Sequence, residues 1–466
     1  MEGFMSLSLS DSQTMVAARA MTPEQPQTAA MTAAGCRPSV LASAVWHSLF
    51  WLVFSNAVGV LIATLLLVPS LNSVLGEWTY GRWLPFHLNL ELYGWCSLPL
   101  VAFLFKVYGA DREPAAIWCR PVLWVWSSAL GIGAISWLNG HSSGKLFLDW
   151  TGYSRVLFPL ALATAWCLLA FSLVNAWSAQ ANASLKVRIS KLIGLVLLLP
   201  VPVLIYIAAS PALYPPINPD SGGPTGASQI ESTLVIIAIL LLLPFGLTRR
   251  RPGHSRLSVI AWSIFAAEFL LCVALGRADV SHHRPTQYIS LGSLLVWLPL
   301  TPAYYSSFEW HANTRRWRIG FLCWWSALVL TGWWLFLPGV LDYFKFTDGL
   351  VGHSLLAVAG FVSSLLIFVM IQILGEDGWI FNRTWAFYVW HASVLAFVLL
   401  MLFAGWIEGS NPAFTMVPAA TRSAIYGLRL LVGVLMLAAS AQWLLDATML
   451  LRTPVARTSN RAWQRT

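Results

Sequence analysis

Apolar runs of around 20 residues recur along this chain from residue 42 to residue 449, and this recurrence limits its fold more than any other feature. A helix of that length crosses a hydrocarbon core of about 30 Å. Twelve such runs are read, at 42–68, 86–107, 119–138, 154–178, 190–210, 231–247, 257–275, 287–306, 319–338, 351–374, 385–406 and 423–449. The expected fold is an all-α polytopic membrane protein with twelve transmembrane helices. Composition agrees: only 10% of residues are charged, against about 25% in a soluble domain.

Three regions follow from this reading. Residues 1–40 are rich in Ala, Thr, Ser, Gln and Met and are expected to form a disordered cytoplasmic segment. Residues 41–450 form the membrane domain, and residues 451–466 a basic cytoplasmic tail. No charged-then-apolar signal pattern opens the chain, so the first span is expected to act as its own insertion signal. The six cysteines (Cys36, Cys96, Cys119, Cys167, Cys272 and Cys323) show no close pairing, and four lie within spans. They imply neither a disulfide framework nor a thiolate metal site.

The net charge of +9 reports topology rather than a nucleic-acid partner. With both termini inside, 20 of the 28 basic residues fall on inner segments, among them Arg249, Arg250, Arg251, Arg315, Arg316 and Arg318. Seven fall outside (Arg82, Lys145, Arg155, Arg277, Arg284, Lys345 and Arg422), and Arg429 lies inside span 12. The positive-inside rule selects this orientation. Spans 2 and 10 then both enter from outside, which places His87 and His353 at similar depths near the outer surface.

Polar groups inside a membrane are costly and mark a function or a paired contact. His87, Glu91 and Gly94 share one helix face, with Asn89 and Ser97 nearby. Two readings stand for His87: an axial haem ligand through Nε2, or an interfacial histidine bonded to a neighbouring helix. His353 carries the same two readings. Its neighbours Gly352, Ser354, Ala357, Ala359 and Gly360 suit either a flat macrocycle or a tight helix crossing. Arg429 suits pairing with an anionic cofactor group or reaching to the outer surface. Glu268 and Asp446 are candidate proton-relay or ion-pair groups, and Asp446 lies near the inner end where water can reach it. His282 and His283 are adjacent like a metal pair, but their setting, RADVSHHRPT, reads as a loop with a structural or incidental role. The 26 Trp, 12 Tyr and 24 Phe suit interfacial belts and large flat cofactors alike.

Five stretches then follow one another in order: FHLNLELYGWCSLP, WLNGHSSGKLFLDW (137–150), RPGHSRLSVIAW (251–262), TDGLVGHSLLAVAG and AIYGLRLLVG (424–433). With twelve spans, inner termini and histidines at the outer ends of spans 2 and 10, the chain resembles the large catalytic subunit (subunit I) of the haem–copper oxidases from about residue 40 to 450. The detail is similar to the cbb3-type cytochrome c oxidase and nitric oxide reductase branch. The resemblance implies that His87 matches the low-spin haem ligand, His353 the active-site haem ligand and Arg429 the family's basic position. It also marks departures. Leu355 stands where the family has a second helix 10 histidine. The helix 6 copper position falls near Gly226 and the helix 7 pair near Arg277 and Ala278, with His282 and His283 about five residues beyond.

The expectation drawn from this is a divergent relative that binds haem b, one group or two, without copper. It would not reduce oxygen or nitric oxide in the usual way. No Cys-x-x-Cys-His motif is present, so the haem would be non-covalent. The implied setting is a respiratory complex in a bacterial inner membrane, among membrane lipid, other subunits and a cytochrome c or quinol donor, with no nucleic acid. Two alternatives remain open at this point. One is a haem-free structural or assembly paralogue. The other is a twelve-helix transporter, against which weighs the lack of a convincing repeat between the halves.

Overall fold

The computed structural model describes residues 39–145, 147–179, 185–214, 216–276, 280–411 and 418–452. The expected disordered segment and basic tail lie, but for their innermost two residues each, outside the described residues. The membrane domain is one compact, all-helical unit spanning 38–453. Its long helices are α1 (Val40–Leu67), α2 (Tyr80–Tyr108), α3 (Ala116–Leu138), α4 (Ser154–Ala179), α5 (Leu185–Ala208), α6 (Gly226–Leu247) and α7 (Ser255–Leu275). A broken segment, α8, runs through Pro285–Leu291, Gly292–Val296 and Trp297–Ser306. After it come α9 (Arg315–Leu335), α10 (Asp348–Phe381), α11 (Thr384–Ser410) and α12 (Ala419–Arg452).

All twelve expected places are helical, and among the described residues ten helices are long and apolar enough to cross a membrane. The chain is an integral membrane protein. The two helices outside the ten are α8 and α9. The middle of α8 tightens into a 3-10 turn, and Pro302 interrupts its last piece. α9 opens on Arg315, Arg316 and Arg318 and carries five tryptophans, whose amphipathic rings lower its apolarity.

α10 is the axis of the fold. Of its most apolar stretch 72% is buried, against 17% for α7 and 6% for α5, which lie at the periphery. One buried cluster joins α6–α12 with parts of α1 and α2, and a second joins α1–α5. α1 packs along α12, and α11 packs against both α10 and α12. The small residues of α10 explain that closeness: a methyl group on Gly352 would lie 2.9 Å from Met401 Cβ of α11 and one on Gly360 3.0 Å from Trp324 of α9. For these two glycines the tight crossing is therefore what the structure realises.

α2 and α10 each contain a π-helical stretch, Glu91–Cys96 and Leu356–Val362. Each ends against a serine that donates to the carbonyl five residues back, Ser97 to Leu92 and Ser363 to Val358, both at 2.9 Å. Trp95 Nε1 also donates to Ser363 Oγ at 2.8 Å, tying one bulge to the other. Such bulges re-aim side chains and are frequent at functional sites.

Near the C-terminal end of α12 Arg383 holds Asp446 with a two-pronged bond, Nε to Oδ2 at 2.6 Å and Nη2 to Oδ1 at 2.8 Å. Asp446 is fully buried, and Gln442 donates to it as well. The expectation that water reaches it is corrected; Asp446 is the ion-pair group. Glu268 is buried too, accepting from Trp297 Nε1 at 2.6 Å across α7 and α8.

Candidate cofactor cavity

Five helices enclose a cavity of about 180 Å³. α1 lines it with Asn56, Gly59, Ile62 and Ala63, α2 with Leu84, His87, Leu88, Glu91 and Leu92, and α10 with Val351, Ser354, Leu355, Val358 and Ala359. Phe397 of α11, Arg429 and Met436 of α12, and Phe147 complete the wall. The surface is apolar apart from His87, Glu91, Asn56, Ser354 and Arg429.

His87 is held by one residue of α1. Its Nδ1 lies 2.8 Å from the Ser55 carbonyl oxygen and 3.1 Å from Ser55 Oγ. The same hydroxyl donates to the His87 carbonyl at 3.0 Å. A carbonyl only accepts, so Nδ1 carries the proton and Nε2 keeps the unshared pair. The ring rests against Gly59, where a methyl group would lie 3.0 Å from Cε1. One turn along α2, Glu91 lines the same cavity and its Oε2 is buried without a hydrogen-bond partner among the described residues. Gly94 lies away from the cavity wall and lets Trp51 of α1 approach α2.

His353 does not line this cavity. Its Nδ1 sits 3.2 Å from Thr331 Oγ1, whose own proton goes to the Ala327 carbonyl at 2.6 Å. Its ring edge lies against Gly332 of α9, with Nε2 3.7 Å from the place a methyl would take. Leu355, two residues on, does line the cavity. Two residues turn a helix by about 200°, so the two side chains leave α10 on opposite faces. The structure therefore brings together His87, Arg429 and Leu355 and sets His353 apart.

Arg429 stands at the rim. Its Nη1 lies 3.6 Å from Asp348 Oδ1, and its guanidinium covers the Phe397 ring at 5.4 Å. Glu408 of α11 accepts from the Asp348 backbone N–H at 2.6 Å, so two carboxylates share the rim with one arginine. Neither carboxylate was singled out in the sequence. Ser55, Asn56 and Gly59 of α1 were missed as well; their signal was the spacing of Ser55 and Gly59 at i, i+4 within an otherwise apolar run.

The loops at this end of the bundle brace these helices. Asp149, buried, accepts from Ser142 Oγ at 2.5 Å and Ser143 Oγ at 2.8 Å, and its backbone N–H donates to Asn89 Oδ1, two residues from His87, at 3.2 Å. Lys145 Nζ donates to the Ala208 and Ser210 carbonyls, both at 2.6 Å, closing the end of α5. His282 and His283 do lie in a loop, and a donor atom of each converges with one of Asp220 to within 4.8 Å. Asp342 faces both imidazoles, at 3.2 Å from each Nε2. Asn218 Oδ1 accepts from the Asp220 N–H, which turns its Nδ2 toward His282 Nδ1 at 3.0 Å. His282 Nδ1 is then an acceptor, its Nε2 carries the proton, and the group ties three loops together. Burial would raise the Asp342 carboxyl, but the Gly339 N–H and the two imidazoles outweigh it and hold the group below the usual carboxylate range. At the first copper position that the sequence resemblance implies, Gly226 packs so closely on α8 that a methyl there would lie 2.6 Å from the Gln287 carbonyl. Arg277 and Ala278 lie outside the described residues.

No protein-family model and no curated protein matches this chain. Among solved structures it is similar to a haem–copper terminal oxidase dimer, at TM-score 0.56 and 12% identity, over 90% of this chain and 85% of that one. At that identity the likeness establishes the fold alone: the membrane domain is folded like the matched chain of that haem–copper terminal oxidase.

Proposed function

We propose that this chain is a haem-b-binding subunit of an electron-transfer complex in a bacterial inner membrane, held to its cofactor by His87, and that it does not reduce oxygen or nitric oxide. One observation carries the reading. His87 presents a ligand nitrogen on a cavity while its other nitrogen donates to the Ser55 carbonyl. Iron-binding histidines are oriented by such a bond. The fold supports haem as the group, since that is the fold of haem–copper oxidases. Bound haem would supply reversible one-electron chemistry at its iron.

The chain's own residues then have distinct tasks. His87 binds through Nε2, and Ser55 fixes the ring and its tautomer. Gly59 leaves room for that ring. The aliphatic walls from α1, α2 and α10 keep water away, which lowers the local dielectric. Arg429 offers positive charge to an anionic edge of the macrocycle, in exchange for part of its contact with Asp348. At about 180 Å³ the cavity is smaller than the pockets of about 300–1,000 Å³ that hold typical ligands. Haem would fit there only with the helices that wall the cavity moved apart. Leu355 in place of an imidazole and Gly226 at a copper position both speak against oxidase chemistry. The electron donor is a cytochrome c or quinol, and other membrane subunits complete the complex.

The test is a pyridine haemochrome assay on protein purified in mild detergent from haem-supplied cells. About one haem b per chain is expected, abolished in His87→Ala and retained in His353→Ala. Well-folded wild-type protein that stays haem-free would sink the reading and favour a structural or assembly role. Loss with His353→Ala alone would move the site to the α9 face.

A further inference from the structure

We infer that Arg250, Arg251, Arg315 and Arg318 form a binding site for the headgroup of an anionic phospholipid, whose acyl chains lie along α7 and α9. The site is separate from the cavity at His87. Arg429 meets the first residue of α10, whereas this cluster is tied to Gln372 near the last turn of that segment.

Two loops build the cluster, one between α6 and α7 and one between α8 and α9. They are zipped together. The Arg251 N–H donates to the Ser307 carbonyl at 2.9 Å and the Glu309 N–H to the Arg249 carbonyl at 3.0 Å, with an antiparallel bridge between Arg250 and Phe308. Gln372 locks both loops, accepting from the His311 N–H at 3.0 Å and donating to the Leu247 carbonyl at 3.3 Å. Arginines far apart in sequence are thereby gathered. Arg251 from one loop and Arg315 at the start of α9 both act on Arg318 as neighbouring like charges. Arg250 lies over the Phe245 and Phe308 rings at 5.3 Å and 5.8 Å, and its Nε is buried without a hydrogen-bond partner among the described residues.

No carboxylate among the described residues stands within ion-pair distance of any of these four arginines. Glu376, which follows α10's last turn, pairs with His311 at 3.2 Å instead. Like charges gathered without a counter-ion repel one another, and a bound anion reverses the sign of that term. A phosphate suits the group best, because guanidinium forks pair with its oxygens through two parallel N–H···O bonds.

The surface beside the cluster selects a lipid as the source of that phosphate. Phe245 of α6, Val259 and Ile260 of α7 and Ile319 of α9 are between 46% and 66% exposed. On α7 the exposed Arg256 leads, at helical spacing, into Val259 and Ile260 and then Phe269 and Leu270. A cationic end above an apolar flank matches an amphiphile with an anionic head. A free anion or an acidic protein segment would leave the apolar flank unused. Basic residues at the ends of membrane helices recognise lipid phosphates in this way.

Delipidated full-length protein in mild detergent is titrated with phosphatidylglycerol, and bound lipid is counted by native mass spectrometry. Saturable binding is expected, with phosphatidylcholine and inorganic phosphate competing poorly. Arg318→Gln is expected to weaken binding at least about fivefold. Arg316→Gln removes the same charge one position away, where the side chain is turned to Thr384 Oγ1 at 3.3 Å, and is expected to bind as wild type. Arg318→Lys should recover part of the loss, since it restores charge without the fork. Equal binding of phosphatidylcholine overturns the inference, as does equal loss in Arg316→Gln and Arg318→Gln. Displacement by inorganic phosphate assigns the cluster to a free anion and overturns the lipid. An acidic polypeptide that stays bound to wild type and is lost with Arg318→Gln assigns it to a partner subunit and overturns it too. Arg318→Gln relieves repulsion, so its melt in lipid-free detergent is expected to be no lower than wild type. Should it fail to fold, Arg251→Gln, in an exposed loop, gives the same comparison.

Discussion

Ser55 and His87 are joined twice, by the imidazole Nδ1–H onto the Ser55 carbonyl at 2.8 Å and by the Ser55 hydroxyl onto the His87 carbonyl at 3.0 Å. The pair fixes both the tautomer and the tilt of the ring from a neighbouring helix. Ser55→Ala keeps the carbonyl and loses the hydroxyl, so the proton stays on Nδ1 while the ring gains freedom. Haem titration of the apoprotein is expected to show about a tenfold weaker affinity, at the low end of the effect of partners behind a metal ligand. An unchanged affinity would mean that the hydroxyl merely holds α1 to α2.

Gly59 and Gly332 make a matched pair of controls, since each faces one of the two histidines. A methyl at position 59 would lie 3.0 Å from His87 Cε1, so the ring must yield by a few tenths of an ångström; at position 332 it would lie 3.5 Å from His353 Cε1, an ordinary contact. Gly59→Ala is expected to lower haem occupancy measurably and Gly59→Val to remove most of it, while Gly332→Ala leaves it intact. The readout is haem per folded chain. Sensitivity at 332 with tolerance at 59 would place the cofactor on the α9 face instead.

Arg429 and Asp348 are each mostly shielded from solvent and stand 3.6 Å apart at the cavity rim. Removing either charge leaves its partner with reduced compensation. Arg429→Gln or Asp348→Asn alone is expected to cost about 1–3 kcal/mol of stability. The double substitution should cost less than the sum of the two, because it leaves neither charge stranded. Thermal melts of the four proteins in detergent measure this. Strict additivity would show that the pair is not coupled, leaving Arg429 free for an anionic ligand.

Much of this arrangement is written in the sequence because a membrane enforces simple rules. Apolar length located the ten helices long and apolar enough to cross a membrane, and intramembrane polarity pointed to His87, Glu91 and Arg429, three residues that do share one cavity. What was not legible depends on rotation about helix axes. Whether His353 faces the cavity or α9 is decided by packing around α10, including the bulge at Leu356–Val362, and no local pattern announces that. Asp446 looked accessible from its place near a helix end, yet Arg383, 63 residues away, folds over it. The rim carboxylates Asp348 and Glu408 escaped notice for the same reason, since one helix presents each of them to another.

Asp342 supplies the pH-dependent test of the loops that hold His282 and His283. Its carboxyl is held below the usual range by the Gly339 N–H and by His282 and His283, against the opposing effect of burial. A carboxyl whose folded value is depressed stabilises the fold fully above its unfolded value of about 3.9, and that contribution fades as pH falls through the lower folded value. Wild-type protein should therefore melt above Asp342→Asn at pH 6, with the gap closing as the pH is lowered below about 4. Thermal melts across that range check it. A gap that stays constant down to low pH would mean that Asp342 acts through the shape of its capping turn at Gly339 rather than through charge, and the loop tether would then not be electrostatic.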